Sequence, residues 1–200
     1  MKRAVLLDMG GVLVELTGEQ PFLEMIGGDV GAEEMWRRWL ASPSVRAHET
    51  GRMGTRDFAQ EAVREFGLSV GPAEFLEHFT GWLHGPFEGA HDLLDDLAGR
   101  HRTAILTNIS AVHWPIAEGY GLFEKVERVV ASYRIGAIKP DRDFFEIALT
   151  ELAATASEAV FFDDNIVNVE GARDCGLEAY LVRGVEETRS RLVALGLLPD

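Results

Sequence analysis

Three short apolar runs in this chain each stop at a polar cluster. Ala4-Val5-Leu6-Leu7 runs into Asp8-Met9-Gly10-Gly11, Ala104-Ile105-Leu106 into Thr107-Asn108, and Ala159-Val160-Phe161-Phe162 into Asp163-Asp164-Asn165. A continuous apolar run of four or five residues is too short for a core helix and fits a strand buried on both faces of a parallel sheet. Such strands deliver the residues at their carboxyl ends to one edge, where ligands of open α/β sheets bind. Asp8, Thr107, Asn108, Asp163 and Asp164 are therefore expected at a single site.

Between the first run and the second, the period changes. Met35, Trp36, Trp39 and Leu40 share a face at helical spacing, as do Phe58, Ala62, Val63 and Phe66, and then Phe75, Phe79, Trp82 and Leu83. Gly27-Gly28, Ser42-Pro43, Gly51 to Gly54 and Gly67 to Pro72 read as turns between them. This pattern predicts a small helical bundle with no strand, its Trp and Phe residues mostly in the core. From Pro86 onward helices and strands alternate, with strands at 103–107, 128–131, 159–163 and 179–182 and a last helix near 186–195. That alternation predicts a Rossmann-like, doubly wound α/β fold with a parallel sheet. The expected division is a core at 1–15 and 86–200 and an inserted α-helical cap domain at 16–85. The final Leu195-Gly196-Leu197-Leu198 suits packing on the core or on a partner, so the oligomeric state stays open.

Composition narrows the setting. The formal net charge of −14 opposes long-range attraction to nucleic acid and to anionic membranes. No run approaches the roughly 20 apolar residues of a membrane helix. Met1-Lys2-Arg3 leads straight into a short strand, unlike a signal peptide. The single cysteine, Cys175, forms no internal disulfide and reads as a small buried residue. A cytoplasmic enzyme acting on a small molecule is the expectation. A phosphorylated substrate would meet this negative charge, so its site must be built locally. Lysine is confined to Lys2, Lys125 and Lys139, and Lys139 stands beside Pro140 between a strand and a helix.

If Asp8, Asp163 and Asp164 meet, they repel one another unless a cation joins them. Oxygen ligands without nearby Cys or His favour Mg²⁺, which usually keeps several waters and binds through one or two carboxylates plus substrate phosphate. Lys139 adds a second positive charge, and Thr107 and Asn108 add donors suited to phosphate oxygens. The set suits phosphoryl transfer with a carboxylate nucleophile.

In order, these motifs resemble those of the haloacid dehalogenase-like (HAD) superfamily of hydrolases, of the type with a helical cap after the first motif. The likeness rests on Leu7-Asp8-Met9-Gly10-Gly11-Val12, Leu106-Thr107-Asn108, Gly136 to Asp141 and Phe162-Asp163-Asp164-Asn165 through Ala172, and spans the whole chain. It implies that Asp8 is the nucleophile of an aspartyl-phosphate and that the Gly10 carbonyl helps to hold Mg²⁺. It implies that Thr107 and the Asn108 backbone hold the phosphoryl group and that Lys139 neutralises nucleophile and phosphate. It further implies that Asp164 binds the metal directly, Asp163 directly or through water, and that Asn168 supports a metal-bound water. Gly11 joins the substrate-binding set. The implied function is a Mg²⁺-dependent phosphatase of a small, sugar phosphate-like metabolite.

One position departs from the superfamily. The residue two after the nucleophile is commonly a second Asp serving as general acid and base, and here it is Gly10. Positioned acid–base help is typically worth 10²- to 10⁴-fold. A cap residue or water is expected to protonate the leaving group, with His48 and Glu49 as candidates, and substrates with good leaving groups should be favoured. Two alternatives follow: a dehalogenase acting through Asp8, against which Asp163 and Asp164 speak, and an impaired fold that binds a phosphorylated ligand. Gly67-Leu68-Ser69-Val70-Gly71 matches a G-x-S-x-G nucleophile elbow but follows a predicted helix rather than a strand. Asn108-Ile109-Ser110 is a glycosylation sequon that coincides with the second motif. His78, His84, His91, His101 and His113 form no metal-binding pattern and are expected on surfaces or helix faces.

Overall fold

The computed structural model describes residues 3–27 and 30–199. Gly28 of the expected Gly27-Gly28 turn and the Met1-Lys2 start lie outside those residues. The chain begins with β1 (Ala4–Leu7) and β2 (Val14–Leu16), then runs through α1 (Glu19–Ile26), α2 (Ala32–Ala41), α3 (Pro43–Glu49), α4 (Thr55–Phe66), α5 (Pro72–Thr80) and β3 (Leu83–Pro86). It continues with α6 (Ala90–Leu97), β4 (Arg102–Thr107), α7 (Trp114–Glu118), β5 (Arg128–Ala131), α8 (Ser132–Ile135), α9 (Arg142–Glu151), β6 (Ala159–Asp163), α10 (Ile166–Asp174), β7 (Glu178–Leu181) and α11 (Gly184–Ala194).

Five strands form a parallel sheet in the order β5-β4-β1-β6-β7. The period of two along each strand sends alternate side chains to opposite layers. Val5, Leu7, Ile105, Val160 and Phe162 pack with Leu93, Leu94 and Leu97 of α6 and Leu192 of α11. Leu6, Ala104, Leu106 and Phe161 pack on the other face with Phe144, Phe145 and Ala148 of α9 and with Val169 and Ala172 of α10. Leu197 and Leu198 close the first layer, so the C-terminal apolar residues seat on the core. Strand order reverses around β1, and the crevice there lies between the carboxyl ends of β1, β4 and β6.

Helices α1 to α5 pack around their own aromatic cluster, which includes Phe22, Trp39, Phe58, Phe75, Phe79 and Trp82. Rings meet mainly edge to face or tilted, as in Phe22–Trp39 at 5.1 Å and Trp39–Trp82 at 4.9 Å between centroids. Two features differ from the sequence expectation. A two-stranded antiparallel ribbon, β2 with β3, ties the helical layer to the sheet and straddles both expected boundaries. Its strands are three and four residues long and end in Gly85-Pro86, so no alternating pattern reveals them. In addition, α5 ends at Thr80, so Trp82 and Leu83 leave the helix; Leu83 belongs to β3.

Candidate active site

β1 and β6 are hydrogen-bonded neighbours, and their carboxyl ends carry the carboxylates. Asp8 follows β1 and donates its backbone N–H to the Phe162 carbonyl at 2.8 Å. Asp163 ends β6, and Asp164 follows it. Oxygens of Asp8, Asp163 and Asp164 lie within 4.8 Å of one another. Lys139 reaches them from the loop between α8 and α9. Its Nζ is 2.6 Å from Asp8 Oδ1 and 2.7 Å from Asp163 Oδ2, and its side chain is 1% exposed. Asn168, on the first turns of α10, donates its amide to both Asp163 oxygens at 3.1 Å. The Asn165 N–H adds a third donor to Asp163 at 2.8 Å, while the Asn165 side chain caps α10 through the Val167 N–H. Asp163 thus accepts from Lys139, Asn168 and the Asn165 backbone, and Asp8 is tied to β6 through its own N–H.

The remaining predicted positions surround this centre in different ways. Thr107, at the end of β4, is buried on the cavity wall. The Asn108 amide does not point its donors at a ligand. Its Nδ2 donates to the Lys139 carbonyl at 3.0 Å, and its Oδ1 accepts from the Lys139 N–H at 2.9 Å. That reciprocal pair fixes the lysine's backbone, so any contact of Asn108 with substrate falls to its main chain. Gly10 lines the cavity. Gly11 does not; its N–H goes to the Val14 carbonyl, and at φ +72° a Cβ would stand 2.1 Å from Asp164 Oδ2. Its lack of a side chain makes room for Asp164, a different role from substrate binding. Gly171 on α10 lies against Pro140, where a Cβ would come within 2.6 Å of the proline carbonyl oxygen, bringing α10 close to the lysine loop.

Electrostatics mark this as an unfinished charge arrangement. Burial pushes Asp8 up to about 7; Lys139 opposes that rise, and Asp163 adds to it. Burial, then Asp8 and Asp163, push Asp164 up to about 8. Burial alone would lower Lys139, but Asp163 and Asp8 hold it at about 12. Among the described residues, Asp164 forms no ion pair. One ammonium therefore pairs with two of the three carboxylates, and the all-oxygen donor set fits a hard divalent cation such as Mg²⁺.

Above the centre is a cavity of about 910 Å³ between the sheet edge and the helical layer. Its aromatic wall consists of Trp36, Trp39, Phe79 and Trp82, joined by Leu16, Leu40 and Leu83. The periodicity of the helical segment assigned those rings to the core, and most are buried; nothing in the spacing shows that they also form one side of a cavity. The two acid–base candidates part company. His48 donates from Nδ1 to the Met53 carbonyl (3.0 Å) and stacks on Phe58 at 4.2 Å, away from the cavity. Glu49 is buried on the cavity wall.

His113 departs from its expected surface position. It is buried, with Nε2 2.7 Å from the Phe79 carbonyl and Nδ1 3.3 Å from Ser110 Oγ. It therefore joins the loop after β4 to α5. Gly67 ends α4 in the left-handed conformation, and the Ser69 N–H donates to the Met25 carbonyl, so the G-x-S-x-G match is a helix-ending turn. No helix among the described residues is long and apolar enough to cross a membrane.

The model of the haloacid dehalogenase-like hydrolase family matches residues 2–176. The chain is 27% identical over 210 residues to "Phosphatase MT3486" of Mycobacterium tuberculosis, covering 98% of this chain and 96% of that one. It is 27% identical over 181 residues to the sesquiterpene phosphatase astK of Aspergillus oryzae, covering 88% and 87%. A predicted HAD-like family hydrolase from Porphyromonas gingivalis shares the fold with a TM-score of 0.75 at 23% identity, covering 98% of each chain.

Proposed function

The chain belongs to the haloacid dehalogenase-like hydrolases, and from that premise we propose that it is a Mg²⁺-dependent phosphatase whose nucleophile is Asp8. The observation that carries the reading is the buried lysine bridging Asp8 and Asp163 beside a third carboxylate, Asp164. A carboxylate used as a nucleophile must stay ionised and fixed in place, and the Lys139 ammonium 2.6 Å away serves both needs. Asp8 attacks phosphorus, the bond from phosphorus to the leaving oxygen breaks, and water then cleaves the aspartyl-phosphate to release inorganic phosphate. Thr107 and the backbone beside Asn108 supply donors to the phosphoryl oxygens. Asp8, Asp163, Asp164 and the Gly10 carbonyl would hold Mg²⁺, whose charge would offset that of the phosphate. The helical layer over the cavity is read as a cap that excludes water and selects the leaving group.

A small phosphorylated metabolite fits the cavity. A sugar phosphate is one class, but the wall of four aromatic rings favours a leaving group with an apolar face. The relative named as a sesquiterpene phosphatase supports that second class. Rates on an isoprenoid monophosphate and on a polyol monophosphate separate the two. The activity itself is tested by Mg²⁺-dependent phosphate release from an aryl phosphate, abolished by EDTA and by Asp8→Asn. Halide release from a haloacid in EDTA would establish a dehalogenase instead. Thermal stabilisation by phosphorylated ligands without turnover would establish a binding protein.

A further inference from the structure

We propose that Glu49 is the proton donor and acceptor that replaces the side chain missing at Gly10. The inference rests on the phosphatase reading and adds to it a residue from the helical layer.

Three observations converge on Glu49. It is the last residue of α3, 7% exposed, and lines the same cavity as Asp8, Lys139 and Thr107. Its Oε2 is buried without a hydrogen-bond partner among the described residues, a costly arrangement for a carboxyl group unless a ligand or a proton completes it. And α3 is docked on the sheet side of the site: Arg46 pairs with Asp141, two residues beyond Lys139. Gly51, just past the helix, lies against the Tyr133 carbonyl so closely that a Cβ would stand 2.8 Å from it. These contacts hold Glu49 in register with the lysine loop. His48, its neighbour, also has a buried ring nitrogen, Nε2, without a partner among the described residues, but it stacks on Phe58 and does not line the cavity.

The protonation state agrees with this geometry. Burial raises the Glu49 carboxyl to about 7, and Trp39, Lys139 and Arg46 pull it only partway back. Those last two are the charged groups that act on it, from the lysine loop and from its own helix. A carboxyl group poised near neutrality donates and accepts a proton efficiently. In the first step Asp8 forms its bond to phosphorus, the bond to the leaving oxygen breaks, and that oxygen takes the proton from Glu49. In the second, water attacks the aspartyl-phosphate, its proton returns to the Glu49 carboxylate, and the bond from Asp8 to phosphorus breaks. The cycle ends with Glu49 protonated and phosphate released.

Proton donation matters most when the leaving group is an alkoxide and least when it is a stabilised phenolate. Glu49→Gln keeps the shape of the protonated carboxyl but transfers no proton. On alkyl phosphates its kcat should fall by about 10²-fold or more, and on p-nitrophenyl phosphate the donation step should change little. The leaving-group preference expected from Gly10 then appears in the variant more strongly than in the wild type. Glu49→Asp, which keeps the acid but withdraws it by one methylene, should show the same selectivity at smaller size. If Glu49→Gln does not fold, Glu49→Asp carries the test. Adding Gly10→Asp to Glu49→Gln should restore alkyl phosphate turnover, since the atoms nearest to a Cβ there all belong to the Leu16 side chain, which can shift. Read as the rate of the first step in single-turnover quench experiments, which leaves out the hydrolysis step common to all substrates, equal losses on alkyl and aryl phosphates, or no loss on either, would overturn the assignment. Wild-type turnover abolished by Asp8→Asn keeps the phosphatase reading intact in both cases, and its absence would sink that reading separately.

Discussion

Acidifying the protein from pH 7.5 to pH 5 should weaken the attachment of α5 to the core through one residue, His113. A carbonyl can only accept, so the Nε2 atom 2.7 Å from the Phe79 carbonyl carries a proton, and Nδ1 is left to accept from Ser110. The folded protein thus holds a neutral ring. Burial lowers its pKa from 6.5 to about 4; the bond to Phe79 opposes that and nearby His48 adds to it. A depressed histidine pKa means that the unfolded chain binds the extra proton first. Its contribution is complete above 6.5 and is lost as pH falls from 6.5 toward 4. Over the stated interval the linkage relation gives about 2 kcal/mol. Urea unfolding at both pH values, for wild type and His113→Gln in the same metal-free buffer, measures it. Gln donates to the same carbonyl and does not titrate, so the variant should lose about 2 kcal/mol less than the wild type on acidification. Parallel pH dependences would refute the reasoning.

Three further substitutions probe the site. Lys139→Met leaves Asp8 and Asp163 buried without their counter-charge and should cost about 3–5 kcal/mol in urea unfolding, with phosphate release lost. Asn108→Ala removes both side-chain bonds to the Lys139 backbone; calorimetric unfolding should show a loss of about 1–3 kcal/mol, and activity should fall although no substrate contact of the side chain is removed. Gly11→Ala forces an L side chain to φ +72° and toward Asp164; beyond about 1–2 kcal/mol of backbone strain, titration calorimetry should show weakened Mg²⁺ binding.

The parallel sheet was readable in the chain because its strands are buried on both faces, so their apolar runs are uninterrupted and their polar stops are abrupt. For the same reason Asp8, Asp163 and Asp164 could be placed at one edge before any geometry was known. The ribbon of β2 and β3 escaped because pairing, and not side-chain alternation, defines strands of three and four residues. Asn108 was legible as a strand-ending polar residue; that its amide would grip the lysine backbone depends on a contact 31 residues away. Gly11 entered the substrate-binding set through the resemblance, and only the approach of Asp164 shows what its missing side chain permits. The aromatic wall and His113 were hidden for a shared reason. Helical spacing reveals that Trp39, Phe79 and Trp82 face inward, but a core and a cavity wall have the same period, and a buried histidine between two layers has no local pattern.

The central claim is covalent attack by Asp8, and trapping the phosphorylated enzyme tests it most directly. Acid quenching during turnover of an aryl phosphate with Mg²⁺, followed by peptide mass mapping, should find one phosphoryl group on the peptide carrying Asp8. Steady turnover with that peptide unmodified, and with Asp8→Asn still active, would contradict the account.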